Sequence, residues 1–138
     1  MSMSYWGVVG IGVRSSRIEK HLDKHKCYLE VCKQLPEENI EEEDFDLNDF
    51  LYGEAFQNLG DFLYCICDKY DGMSWEENGQ DDSYFIYPAS YPWYRSPKDP
   101  QSFAEVEEII VDTLTKVTNL SEEDIRSLIE EINEAGCG

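Results

Sequence analysis

Positive charge is scarce in this 138-residue chain. It holds 11 lysines and arginines against 30 aspartates and glutamates, which gives a formal charge of −19 at pH 7. A surface of this sign repels phosphate backbones and anionic membranes. The composition therefore argues against direct contact with nucleic acid or membrane, and it favours a basic protein as partner.

Long apolar runs are also missing. No stretch of 18 apolar residues is present, and residues 1–12 lack the basic start and long apolar stretch of a signal peptide. These features predict a cytoplasmic protein, in the host cytoplasm if a phage encodes it. The cysteines are odd in number and lie mostly among apolar residues, which favours reduced thiols. They are Cys27, Cys32, Cys65, Cys67 and Cys137.

Histidine, the commonest metal ligand and general base, occurs only twice. His21 and His25 are one helical turn apart, but Cys27 on the same helix would point away from them. We expect His25 to belong to the apolar face of that helix. The sequence thus predicts no zinc site and no Cys–His nucleophile.

Two further ligand patterns are incomplete. Asp44, Asp46 and Asn48 match the first ligand positions of an EF-hand loop, but Asp49 replaces the turn glycine and Ala55 replaces the bidentate glutamate. The glycines of residues 5–13 match neither phosphate-loop pattern. We expect neither a metal nor a cofactor, assign no catalytic residue, and keep a small hydrolase using carboxylates as a remote alternative.

Apolar material is sufficient for a folded core. Hydrophobic residues make up 41% of the chain and aromatic residues 13%, so we expect one domain over residues 1–138. Residues 5–13, YWGVVGIGV, predict a first strand whose glycines allow close backbone approach. A helix capped by Ser15 or Ser16 should follow and end before Pro36. Its predicted apolar face is Ile18, Leu22, His25, Leu29 and Cys32.

The middle of the chain predicts a second helix over residues 54–67 and a β-hairpin over 73–87. The helix has an apolar face, and Asn78-Gly79 supplies the hairpin turn. Residues 88–100 hold four prolines among aromatic residues, which predicts a Pro/aromatic loop. The predicted apolar face of the second helix is Phe56, Leu59, Phe62, Leu63 and Ile66.

The C-terminal third predicts a helix pair over residues 102–135. Ser102 and Glu105 form a capping box, Phe103 begins the apolar face of the first helix, and Ser121 caps the second. Gly136 suits the position after the second helix. The predicted order is β-α-α-β-β-α-α, an α+β fold with a small antiparallel sheet packed against about four helices.

Charge is unevenly distributed along the chain. Residues 1–35 hold six basic and three acidic residues, and we expect this segment to neutralise part of its own domain. Residues 36–49, PEENIEEEDFDLND, hold eight carboxylates and no cation, which predicts an exposed acidic loop. These carboxylates are Glu37, Glu38, Glu41, Glu42, Glu43, Asp44, Asp46 and Asp49.

Rows of carboxylates on a folded scaffold can imitate the phosphates of a nucleic acid and occupy a basic groove. We therefore predict that the eight carboxylates of residues 36–49 bind the partner. An alternative is a protein-binding module that uses the aromatic run from Tyr84 to Tyr94. In that case Tyr91, Trp93 and Tyr94 would contact the partner by hydrophobic burial.

In size, acidity and lack of a catalytic signature, the chain resembles small phage and mobile-element proteins of the anti-CRISPR and anti-restriction type. The segments SYWGVVGIGVRSSRI and SYPWYRSPKDPQSFAEVEEII also resemble phage proteins. The resemblance concerns the class and carries over no functional positions. It implies a non-enzymatic inhibitor that presents a nucleic-acid-like surface to a nuclease or CRISPR effector.

Overall fold

A computed structural model describes residues 5–38, 40–49, 56–67, 73–77, 82–88 and 102–137. The fold is α+β, as predicted, with a four-stranded antiparallel sheet. The strands lie in the order β2-β3-β1-β4, which places β1 and β3 at the centre of the sheet. They are β1 (Tyr5–Arg14), β2 (Ser74–Glu77), β3 (Ser83–Pro88) and β4 (Glu130–Cys137).

Helices and helical turns fill the segments between the strands. The longest described helix has 13 residues, and no described helix is long and apolar enough to cross a membrane. Short 3-10 turns cover Glu19–His21, Pro36–Glu38 and Glu42–Asp44. The α-helices are α1 (Ser15–Ile18), α2 (Lys24–Gln34), α3 (Leu47–Asp49), α4 (Leu59–Ile66), α5 (Phe103–Thr115) and α6 (Glu122–Leu128).

The predicted first strand and hairpin are confirmed. Strands β2 and β3 pair antiparallel, and β3 pairs antiparallel with β1 so that Gly12 lies opposite Ile86. The Asn78-Gly79 turn lies outside the described residues, as do residues 89–100 of the Pro/aromatic loop that was predicted over 88–100. Pro88 is the last residue of β3. A Cβ on Gly12 would lie 2.2 Å from the carbonyl oxygen of Phe85, so this position requires glycine. At Gly7 the nearest atom would be 3.8 Å away, and no close approach occurs there.

The main core lies between one face of the sheet and the helices. Strand alternation directs Val13 and Phe85 to this face, where they join residues of α4 and α5 such as Phe62 and Ile110. A smaller buried cluster lies on the opposite face of the sheet. It consists of Val8, Tyr84, Ile86 and Ile132.

The predicted single helix between Ser15 and Pro36 is wrong, because the chain breaks it before α2. Leu22 forms an isolated bridge with Thr118, and the N–H of Asp23 donates to the carbonyl of Val117 at 2.8 Å. Asp23 then caps α2 by accepting from the N–H of Lys26 at 2.9 Å. Because α2 begins at Lys24 and not near Ser15, a different set of its side chains faces the core.

The buried face of α2 is consequently Cys27, Glu30 and Val31. His25 and Leu29, which were predicted to face the core, are exposed. Ile18, which lies before the break, is buried as predicted. The basic side chains Arg17, Lys20, Lys24 and Lys33 are exposed.

The second predicted helix is confirmed in its apolar face but begins later. Asn58 caps α4 by accepting from the N–H of Asp61 at 2.9 Å, and residues 56–58 precede the helix. The side chains of Phe56, Leu59, Phe62, Leu63 and Ile66 are all buried.

The C-terminal helix pair is correct in its caps and wrong in its length. Ser102 and Ser121 both accept capping hydrogen bonds. However, α6 ends at Leu128, and the residues after it form β4 along the edge of β1. Ile132 is buried as part of this strand, and Gly136 pairs with Trp6 instead of terminating a helix. Phe103, predicted to be apolar core, is 53% exposed.

Candidate functional site

The acidic segment, residues 36–49, is attached to the fold by one buried aromatic side chain. Phe45 is 1% exposed, although its neighbours Asp44 and Asp46 are exposed. Its ring packs edge-on against that of Tyr28 on α2, with 5.5 Å between the ring centroids. Ile40 and Leu47 also pack against the core. The segment is therefore a fixed part of the domain surface.

Local hydrogen bonds fold the acidic segment into short turns. The hydroxyl of Tyr28 donates to the carbonyl of Ile40 at 2.6 Å. The N–H of Asp44 donates to the carbonyl of Glu41 at 3.0 Å, and Asp46 accepts from the N–H of Asp49 at 3.2 Å. As the sequence predicted, every regular element here is short, since a longer helix would place like charges side by side.

The carboxylates of the acidic segment project to solvent. Glu42 binds the ring nitrogen Nδ1 of His25. Among the described residues, no ion pair or side-chain hydrogen bond involves the carboxylates of Glu41, Glu43 and Asp44. The exposed acidic side chains are Glu37, Glu41, Glu42, Glu43, Asp44, Asp46 and Asp49. The side chain of Glu38 is outside the described set.

Carboxylates outside the acidic segment form ion pairs with Arg14, Arg17, Lys33 and Arg126. Arg14 donates from Nε to Glu130 at 2.9 Å, and it also pairs with Glu134. Arg126 bridges α6 to Glu107 and Glu108 on α5. Of the basic residues in the N-terminal segment, Arg14 and Arg17 pair with carboxylates of β4.

The Arg14 cluster is a polar junction at one end of the sheet. Burial disfavours the guanidinium charge, but hydrogen bonds to Glu130 and Glu134 outweigh that effect and raise the pKa of Arg14. The pKa of Glu134 is lowered, first by the hydrogen bond from the Tyr84 hydroxyl and then by Arg14. The Arg14 guanidinium also lies 5.5 Å from the centre of the Tyr84 ring.

The residues considered for metal binding are not brought together. Cys27 is buried against the carbonyl of Val117, and desolvation raises the pKa of its thiol to about 12. His25 instead faces Glu42. Among the described residues, no group of three histidine, cysteine or acidic side chains could hold a metal ion. Cys27, Cys32, Cys65 and Cys67 are free thiols.

The aromatic run is split by the structure. Tyr84, Phe85 and Tyr87 are buried in β3, so they belong to the interior and not to a recognition surface. Tyr91 and Trp93, together with Tyr94, lie outside the described residues.

Sequence reasoning identified the acidic segment but missed what fixes it in place. Tyr28 supplies both the ring contact to Phe45 and the hydrogen bond to Ile40. The available signal was Phe45 itself, the single aromatic residue within an otherwise acidic run.

Comparison of the chain with protein-family models, curated proteins and solved structures finds no match.

Proposed function

We propose that this protein is a non-enzymatic inhibitor that docks its acidic segment on the basic groove of a nucleic-acid-binding protein. The partner would be a nuclease or a CRISPR effector. The observation that supports this is a row of exposed carboxylates on a segment attached through Phe45. Nucleic acid itself would be the competitor for the same groove.

Glu41 and Asp44 lie three positions apart across one 3-10 turn. Acidic side chains three or four positions apart on a helical turn lie about 5–6 Å apart. Successive phosphates on one nucleic-acid strand lie at a similar distance, about 6–7 Å. A basic groove that binds a phosphate row could therefore bind this segment with the same lysines and arginines.

Attachment to the core reduces the conformational entropy that is lost when these carboxylates bind a partner. A floppy acidic tail would lose conformational freedom on binding, at about 1–2 kcal/mol for each residue that becomes ordered. The contacts of Tyr28 with Ile40 and Phe45 already order the segment in the free protein. Less of the electrostatic attraction is then offset by lost entropy.

The experiment compares two variants that remove the same number of charges. The first changes Glu41, Glu42, Glu43 and Asp44 to serine. The control changes four exposed carboxylates outside the segment to serine. These are Glu76, Glu122, Glu123 and Glu131.

Both variants and the parent are tested against a panel of purified nucleases and guide-loaded CRISPR effectors. The readouts are inhibition of DNA cleavage and the dissociation constant at about 50 and about 200 mM salt. We expect the segment variant to lose inhibition and to show a flatter salt dependence, while the control keeps most of its affinity. Equal affinities for the segment variant and the parent at both salt concentrations would refute the proposal and leave the aromatic loop as the contact surface.

A further inference from the structure

A groove lies between the end of α2 and the acidic segment. Its volume is about 560 Å³, within the range of about 300–1,000 Å³ typical of small-molecule clefts. The groove is lined by Tyr28, Cys32, Leu35, Pro36, Ile40 and Glu41.

The electrostatics of the groove favour a cation. α2 ends at Gln34, so the negative end of the helix dipole lies beside the groove. The charges of Glu41 and Glu42 act on the Tyr28 hydroxyl and help to raise its pKa, after the larger effects of its hydrogen bond with Cys32 and desolvation. In the described part of the chain, no cation pairs with Glu41. Lys33, the basic residue in the last turn of α2, binds Glu30 at 3.2 Å.

The walls of the groove favour an apolar stem. Leu35, Ile40 and Tyr28 line the groove, and all three are half-buried side chains that pack against the core. A side chain that fits this groove would have a hydrocarbon stem that packs against Leu35 and Ile40 and a positive end group that pairs with Glu41. Arginine combines these features, because its flat guanidinium stacks on aromatic rings and donates several hydrogen bonds at once.

We propose that this groove receives an arginine side chain of the basic partner. The stem packs against Leu35 and Ile40, and the guanidinium binds Glu41 beside the carboxyl end of α2. The inference rests on the proposed function, since it takes the partner to be basic, and it deepens that function by naming one anchoring contact. The acidic segment then supplies attraction at long range and the groove supplies a specific contact.

The test uses side-chain analogues on the whole protein. N-butylguanidinium represents arginine, butylurea is its neutral isostere, and butylammonium represents lysine. Titration is followed by amide chemical shifts in two-dimensional NMR. We expect butylguanidinium to shift Tyr28, Cys32 and Glu41 in a saturable manner, and both other analogues to bind at least about tenfold more weakly.

Three outcomes would overturn the inference. They are shifts spread evenly over the acidic surface, equal binding of butylurea, and tighter binding of butylammonium than of butylguanidinium. The second of these would indicate a purely apolar cleft, and the third a lysine site.

A blocking variant tests the location. Cys32→Phe should fill the groove without changing any charge, and we expect it to abolish the butylguanidinium shifts. The matched control is Leu29→Phe, which enlarges an exposed side chain (45%) on the same helix but outside the groove lining. If Leu29→Phe abolished the binding of butylguanidinium, or if Cys32→Phe retained it, the groove would not be the binding site.

A second measurement on the parent protein does not depend on the folding of any variant. Butylguanidinium should slow the alkylation of Cys32 by iodoacetamide, read by peptide mass spectrometry. Cys65 on α4 is also half-buried but is absent from the groove lining, so its rate should stay unchanged. Equal slowing at both thiols, or at neither, would contradict the inference.

The failure of the groove and the failure of the proposed function can be distinguished. In one outcome, the segment variant loses affinity for the partner but butylguanidinium does not shift the amide signals of Tyr28 and Cys32. The acidic segment is then supported as the docking surface, and the groove is rejected as an arginine site. If the analogue binds the groove of the parent, and a variant that changes only Glu42, Glu43 and Asp44 to serine keeps full affinity for a partner that Glu41→Ser weakens, the groove stands and the acidic docking proposal does not.

Discussion

The Nε of Arg14 at the end of β1 donates to the carboxylate of Glu130 at the start of β4 at 2.9 Å, across 116 positions of sequence. One of the chain's few cations thus joins the edge strand to the centre of the sheet. Arg126 plays the same part between α5 and α6. Both arginines thus pair with carboxylates that lie outside the acidic segment.

We predict that Arg14→Met lowers the free energy of unfolding by about 2 kcal/mol, because Glu130 and Glu134 would lose their partly buried counter-charge. The measurement is urea denaturation at neutral pH. Arg17→Met is the matched control, since Arg17 approaches Glu130 at 3.3 Å but is half exposed. Its loss should cost less than about 0.5 kcal/mol. Similar losses for the two variants would show that the Arg14 cluster contributes nothing beyond surface charge.

The tight contact between β1 and β3 predicts different tolerance at two glycines. Gly12→Ala would place a Cβ 2.2 Å from the carbonyl oxygen of Phe85, so the two central strands must separate. We expect a loss of about 3 kcal/mol or failure to fold. Gly7→Ala meets no atom closer than 3.8 Å and should be close to neutral. Thermal unfolding of both variants checks this, and a stable Gly12→Ala would show that the strands are less closely packed.

Glu134 should make stability depend on pH in the acid range. Its pKa in the folded protein lies below the ordinary value of 4.5, because the Tyr84 hydroxyl and Arg14 stabilise the charged form. Its contribution is therefore fully present above pH 4.5 and is lost as the pH falls through the lower folded value.

We accordingly expect Glu134→Gln to be less stable than the parent by about 1 kcal/mol at pH 7. The difference should close as the pH falls below 4.5. Urea titrations between neutral and acid pH measure this, with Glu131→Gln on the same strand as the exposed control. A difference for Glu134→Gln that stays constant with pH would contradict the assignment.

Local signals in the sequence predicted the elements that depend on local chemistry. The capping serines Ser102 and Ser121 and the apolar spacing of residues 106–114 were sufficient for α5 and for the start of α6. The aromatic and β-branched residues of 83–87, after the Asn78-Gly79 turn signal, were sufficient for β3. In each case the side chains that define the element lie within it.

The errors have tertiary causes. The break before α2 is fixed by Leu22 and Asp23 contacting Thr118 and Val117, which lie far along the chain. The spacing of Ile125, Leu128, Ile129 and Ile132 fits one continuous helix, yet α6 ends at Leu128 and pairing with β1 makes Glu130–Cys137 a strand. Neither partner is visible in a local window of sequence.

The acidic segment likewise has one feature that the local sequence predicts and another that depends on tertiary contacts. The exposure of its carboxylates follows from mutual repulsion and was predictable. Its attachment through Tyr28 and Phe45 depends on the phase of α2, which the break before α2 determines.

A substitution at Phe45 separates the effect of negative charge on binding from the effect of an acidic segment that is already ordered. Phe45→Ala removes the buried ring but keeps every carboxylate, and should cost about 3–5 kcal/mol of stability. Long-range attraction depends on net charge, so the association rate with a partner should hardly change. The dissociation rate should rise instead, because the unattached segment must be ordered on binding.

Phe56→Ala is the matched control for this prediction. Phe56 is also a buried aromatic residue with an edge-on partner, Phe62 at 5.1 Å between ring centroids, and it lies outside the acidic segment. Its loss should cost similar stability without changing dissociation. Binding kinetics are measured by surface plasmon resonance at a temperature where urea titration shows both variants to be folded. If both variants dissociated equally fast, general destabilisation would explain the effect. If Phe45→Ala dissociated at the parent's rate, the attachment of the acidic segment would play no part in binding, and charge alone would account for it.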